Sequence, residues 1–167
     1  CWIMYPDLGC TDPLALNYNA LITIDDGSCV YNVHNITQNL HYGMIQPALD
    51  QANIGDSILV DPGTYNESLY IDIAVTLIGS GAQNTFVTGG VLMDGPSLAN
   101  LTIDGFYFTG DYSSNNVAIF DVISTNVSDM TIKNCVLDGD NIAGRKAFWG
   151  NSAMTGKWVW DNNEIKN

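Results

Sequence analysis

The sequence predicts an all-β fold, a parallel β-helix of about four coils, and three observations carry that prediction. First, Val75-Thr76-Leu77-Ile78-Gly79-Ser80, Leu101-Thr102-Ile103-Asp104-Gly105, Met130-Thr131-Ile132-Lys133-Asn134 and Trp158-Val159-Trp160-Asp161-Asn162 repeat one pattern, with starts 26, 29 and 28 residues apart. Second, apolar residues then recur at every other position, as at Phe106 and Phe108 or Cys135 and Leu137, which is the period of a strand. Third, Gly79, Gly105, Asn134 and Asn162 form a column of residue types that tolerate a left-handed backbone, so a bend is expected there.

Further strands are expected ahead of each repeat, at Val91-Leu92-Met93, Ile119–Ile123 and Ala147-Phe148-Trp149. A unit of this length holds two or three short strands and no helix. One such unit cannot bury its own inner face, so stacking is the source of stability. Five or six apolar side chains per coil, at roughly 1.5 to 3 kcal/mol each, give a gross term of about 10 kcal/mol before chain entropy opposes it.

The 167-residue chain is long enough for one substantial core and a small appendage. It is short for a β-helix enzyme. Five Lys and Arg against eighteen Asp and Glu give a net charge of -13. That balance repels phosphate backbones and anionic head groups, which excludes nucleic acid and lipid surfaces as partners. It suits solubility outside cells and divalent counter-ions. No apolar run is long enough to span a bilayer, and no signal peptide begins the sequence. Position 1 is Cys, which suggests a processed or trimmed product, a lipoprotein anchor being the alternative reading.

Residues 1–32 have another texture. Gly9-Cys10-Thr11-Asp12-Pro13, Asn17-Tyr18-Asn19 and Asp25-Asp26-Gly27-Ser28-Cys29 together resemble a short Cys-stapled module that recurs in surface and secreted proteins of microbes. The resemblance covers about 23 residues and implies a disulfide between Cys10 and Cys29. Closing a loop of that length contributes about 3 kcal/mol in the chain-entropy model, and a disulfide implies an oxidising compartment, extracellular or at the cell surface. Asp12, Asn17, Asn19, Asp25 and Asp26 are oxygen donors of the kind calcium takes. The same residue types are also turn formers, and their spacing is not that of an EF-hand loop. Cys135 is expected as a buried free thiol at the inward position that Phe106 holds one repeat earlier. Cys1 is then left for another chain or for a residue outside this sequence.

Residues 33–56 are expected to be a linker and a capping helix. Tyr42, Ile45, Ala48, Leu49 and Ala52 fall at helical spacing, and Asn53-Ile54-Gly55-Asp56 closes the run. His34 and His41 flank the helix and read as surface residues without a third metal ligand. Residues 57–167 hold the repeats. Ile45–Ala52, the Gly55-Asp56 turn, Ser57–Val60, Pro62-Gly63-Thr64-Tyr65 and Val75–Gly81 resemble, in that order, the opening of right-handed parallel β-helices of the pectin-lyase-like superfamily. The resemblance spans about residues 43–167. It implies a right-handed coil and leaves activity open, since that superfamily mixes polysaccharide lyases, hydrolases and esterases with tailspikes, adhesins and non-catalytic surface proteins.

Four sequons, at Asn35, Asn66, Asn100 and Asn126, are candidate glycosylation sites. No catalytic residue is assigned. Arg145 is the sole arginine and stands beside Lys146. Asp104 and Asp161 share a column that Lys133 interrupts, without a second acid column for hydrolysis. Trp158, Trp160 and Ile165 end on a step that something should cover, and are candidates for an assembly surface. Three functions follow. The favoured one is a non-catalytic extracellular structural or adhesive protein that stacks head to tail on copies of itself as a filament. The second is a carbohydrate-binding module with Tyr107, Tyr112 and Trp149 along one face. The third is a fragment of a larger polysaccharide-degrading enzyme. No cofactor is expected beyond calcium.

Overall fold

A computed structural model describes residues 7–110, 118–123, 127–139, 146–150 and 156–166. The protein is mostly β, and its sheets are mainly parallel. Two short strands, β1 (Leu8–Gly9) and β2 (Ile24–Asp25), pair in parallel within the N-terminal segment. Next come β3 (Val33–Asn35), β4 (Leu40–Tyr42) and a six-residue helix, α1 (Ile45–Asp50). The chain then visits three sheets in rotation. It runs through β5 (Ser57–Val60), β6 (Gly63–Tyr65) and β7 (Leu69–Ile73), then β8 (Thr76–Gly79), β9 (Thr85–Val87) and β10 (Val91–Ser97). It continues through β11 (Thr102–Asp104), β12 (Tyr107–Phe108) and β13 (Ala118–Val122), then β14 (Thr131–Lys133), β15 (Val136–Asp138) and β16 (Lys146–Gly150). Last are β17 (Val159–Asp161) and β18 (Glu164–Lys166).

Every third strand pairs. The seven-stranded sheet has the order β17-β14-β11-β8-β5-β3-β4, the five-stranded sheet β18-β15-β12-β9-β6 and the four-stranded sheet β16-β13-β10-β7. The register puts like residues above one another. One inward column is Ile58, Leu77, Ile103, Ile132 and Trp160. A second is Leu69, Val91, Phe120 and Phe148, and a third is Val87, Phe108, Leu137 and Ile165. These columns meet in one apolar core, so the repeat read from the sequence is the repeat of the packing. Cys135 is the buried free thiol among the described residues, and burial raises its pKa to about 11, which makes it a small core hydrophobe.

The bend column is real at three of its four positions. Gly105, Asn134 and Asn162 have φ of 79°, 53° and 49°. Gly79 stays in β8, and the left-handed residue is Gly81, at φ 101°. Gly79 is required for a different reason, because a Cβ there would lie 2.5 Å from the Gly105 carbonyl oxygen of the next circuit.

The helix is much shorter than the helical spacing suggested. Residues 33–42 form an antiparallel hairpin whose β3 also pairs antiparallel with β5, so Tyr42 is a strand residue with its side chain in the core. Its alternation with Leu40 fits a strand as well as its distance to Ile45 fits a helix. Pairing with β5, distant in sequence, decides between the two.

A buried carboxylate fixes this region. Asp56 Oδ2 accepts from Asn35 Nδ2 at 2.8 Å, from the Asn53 amide at 2.8 Å and from Gln38 Nε2. Burial pushes the Asp56 carboxyl up, but these donors outweigh it and leave the pKa below the ordinary value. α1 is tied to β7 in turn. Glu67 accepts from the Ile45 and Gln46 amides at 2.8 and 2.9 Å. The Gln46 amide group accepts from Tyr70 N–H at 2.7 Å and donates to Tyr70 C=O at 3.1 Å, supplying the bonds that a further strand beside β7 would supply.

Candidate functional sites

The N-terminal module has almost no core of its own, with Cys10 and Ala15 its buried apolar residues. The Cys10–Cys29 disulfide is present. Four of the five proposed calcium donors each hold a turn, and the fifth ties the loop across. Asp12 Oδ1 accepts from Leu14 N–H at 2.9 Å, Asn19 Oδ1 from Leu21 N–H at 3.0 Å, Asp25 Oδ1 from Gly27 N–H at 3.0 Å and Asp26 Oδ1 from Ser28 N–H at 2.9 Å. Asn17 bridges the loop, donating to Ser28 C=O at 2.7 Å and accepting from Val30 N–H at 2.8 Å. A calcium ion here would share these oxygens with the turn amides. Among the described residues no three His, Cys, Asp or Glu side chains gather as a metal-ligand group. The Tyr31 hydroxyl donates to Asp12 Oδ2 and, with the Leu14 amide, lowers the Asp12 pKa. The module joins the hairpin through Gly43 N–H to Leu14 C=O at 2.6 Å.

Much of the outer columns is bonded between circuits. Asp104, Lys133 and Asp161 are in register, and Lys133 Nζ lies 3.3 Å from Asp104 Oδ2. Asn162 Nδ2 donates to Asn134 Oδ1 at 2.8 Å, and Asn134 Nδ2 to Asp104 Oδ1 at 2.7 Å. Asn163 takes the Cys135 amide at 2.9 Å and donates to Ile132 C=O at 2.8 Å. These side chains bind the circuits together.

The aromatic face divides. Tyr107 is in the five-stranded sheet, where its hydroxyl donates to Asp138 and its ring lies 5.4 Å from Phe86. Trp149 is in the four-stranded sheet, with Lys146 Nζ 3.5 Å above its ring. The two therefore do not line one face. Tyr112, Arg145, Cys1 and Asn126 lie outside the described residues. Of the other sequons, Asn66 and Asn100 are exposed. Asn35 is fully buried with its Nδ2 on Asp56, and this fold has no room for a glycan there.

The assembly candidates sit where the inward columns leave the core. Ile58, Leu77, Ile103 and Ile132 are at most 1% exposed, whereas Trp160 in the same column is 43% exposed. Leu137 is buried and Ile165 above it is 59% exposed. Trp158 is half-buried against Phe148, with ring centroids 5.5 Å apart. Among the described residues no strand pairs with the outer edges of β16, β17 and β18.

Two arrangements went unread in the sequence. His34 and His41 are not on a helix; they face each other across the hairpin. The alternation of Val33-His34-Asn35 and Leu40-His41-Tyr42 about Asn39, which has φ 57°, was the available signal. Asp121 Oδ1 is buried without a partner among the described residues, and burial raises its pKa. Comparison with protein-family models, with curated proteins and with solved structures finds no match to this chain.

Proposed function

We propose that the chain is a non-catalytic structural or adhesive protein of the extracellular space or cell surface, folded as a right-handed parallel β-helix of about four coils with α1 as its cap. The observation that carries this reading is the inequality of the two faces of the stack. At one, Ile58 and Leu69 are fully buried beneath the hairpin and α1, and only β6 lacks an outer partner among the described residues; at the other, Trp160 and Ile165 stand exposed and, among the described residues, none of β16, β17 and β18 has one. The outer columns support a scaffold role because they spend their polar groups on adjacent circuits. The disulfide supports the oxidising location. In this reading glycans attach at Asn66 or Asn100, the exposed sequons.

A second copy is the partner proposed for the β16–β18 edge. A head-to-tail filament needs the opposite face to accept those strands; there β3 already pairs with β5 and Gln46 bonds to the edge of β7, so among the described residues β6 alone offers a free edge. Contact between two like edges leaves no propagating surface and closes as a two-fold dimer. Sedimentation over a wide concentration range tests this, with Trp160→Asp as control. A reversible dimer lost in the variant is expected. A monomer at every concentration, or a filament, refutes the closed contact. A glycan-binding role predicts retention on a polysaccharide resin, and the enzyme-fragment reading predicts chain cleavage; the structural role predicts neither.

A further inference from the structure

We infer that His34 and His41 form a binding site for a borderline divalent transition-metal ion of the zinc type. The two residues are a directly opposed pair in the antiparallel β3–β4 ladder, which fixes their Cβ atoms close together on one face. Their Nδ1 atoms converge to 2.8 Å, with ring centroids 5.1 Å apart and planes at 73°. On the far side of His34, Nε2 lies 3.2 Å from Asp61 Oδ2.

The proton count then follows. An ionised carboxylate only accepts, so Nε2 of His34 donates to Asp61, and in the neutral ring its Nδ1 presents a lone pair. In that tautomer the proton between the two Nδ1 atoms, 2.8 Å apart, is carried by His41. A metal ion takes that proton's place when His41 moves it to Nε2, and both imidazoles remain neutral. Zinc–nitrogen bonds of about 2.0–2.1 Å at a tetrahedral angle separate two nitrogens by roughly 3.4 Å. The Nδ1 atoms, 2.8 Å apart with centroids 5.1 Å apart, meet head-on, so to aim both lone pairs at one ion each ring swings by roughly 35° as the nitrogens part by about half an ångström.

Asp61 acts as the outer carboxylate that orients a metal-bound histidine. The remaining coordination positions go to water or to a ligand entering the adjacent cleft, which Asp12, Tyr31, Asn39 and Gln51 line with His41. Two imidazole nitrogens favour zinc, nickel or copper over calcium, and the net charge of -13 draws cations to the surface.

The test is calorimetric titration of the untagged, chelator-stripped chain with zinc chloride near neutral pH, beside His34→Ala, His41→Ala and Asp61→Asn. One site is expected in the unaltered chain, undisplaced by excess calcium, lost in either histidine variant and weakened about tenfold in Asp61→Asn. Because a substitution in β3 or β4 also touches the hairpin, the nitrogen resonances of the unaltered imidazoles are the second measurement. Zinc should shift Nδ1 of both His34 and His41. Undiminished zinc binding in the histidine variants, no zinc binding in the unaltered chain, or Nδ1 resonances that ignore zinc overturns the inference.

Discussion

The two ends of the stacked sheets are built from the same inward columns and finished in opposite ways. At the β5–β7 end, the hairpin pairs with β5, and Gln46 of α1 gives Tyr70 of β7 the peptide-like hydrogen bonds a neighbouring strand would give, while β6 has no outer partner among the described residues. At the β16–β18 end, Trp160 and Ile165 of the same columns are exposed, and among the described residues no further strand pairs there. The contrast shows that an apolar residue's contribution here depends on its circuit more than on its type. An inward side chain with circuits on both sides loses nearly all contact with water, whereas the same column position with one neighbour is half finished.

Substitutions along one column sharpen that contrast, and Ile103→Ala should have the largest effect. Ile103 lies between Leu77 and Ile132 and is fully buried, so the cavity should cost about 2–5 kcal/mol in urea-unfolding stability. Asp56→Ala at the finished end should cost about 2–3 kcal/mol, because it strands the Asn35, Gln38 and Asn53 donors. Its pH dependence has a definite sign. The folded pKa of Asp56 lies below the unfolded value of about 3.9, so its contribution is fully present above that pH and is lost as pH falls through the folded pKa. Asp56→Asn should flatten this part of the acid limb in unfolding curves, and an unchanged limb would remove Asp56 from the account.

Gln46→Ala should cost about 1 kcal/mol, the net worth of the hydrogen bonds to Tyr70, and should speed amide exchange at Tyr70. The smallest effect on the stability of the single chain is expected for Trp160→Ala, within about 0.5 kcal/mol in thermal unfolding of dilute protein. Equal losses for Ile103→Ala and Trp160→Ala would erase the distinction between interior and end.

The circuits were legible because the repeat acts twice, once as strand alternation and once as a column, so Leu77, Ile103, Ile132 and Leu137 could be placed from spacing alone. The closing elements are not repeated, and their reading failed where one spacing serves two structures. Tyr42 and Ile45 fit a helix, yet Tyr42 belongs to a strand because β3 finds β5. His34 and His41, seven apart, suit two turns of a helix and equally suit the opposed positions of a hairpin closed at Asn39. Asn35 reads as a surface sequon and is buried, since its amide is the donor that Asp56 requires. The role of Gln46 depends wholly on where α1 comes to rest. Gly79 is expected at a bend and instead lies within β8; what requires glycine there is the approach of Gly105 from the next circuit, a contact that local sequence does not reveal.

Residue-resolved amide hydrogen exchange at low and high protein concentration tests the inequality of the ends most directly. The account predicts that β8, β11 and β14 exchange slowly at both concentrations, whereas β16, β17 and β18 exchange faster in dilute solution and become protected as concentration rises. Protection of β16–β18 equal to that of β11 in dilute solution, or exchange there that ignores concentration, would contradict it.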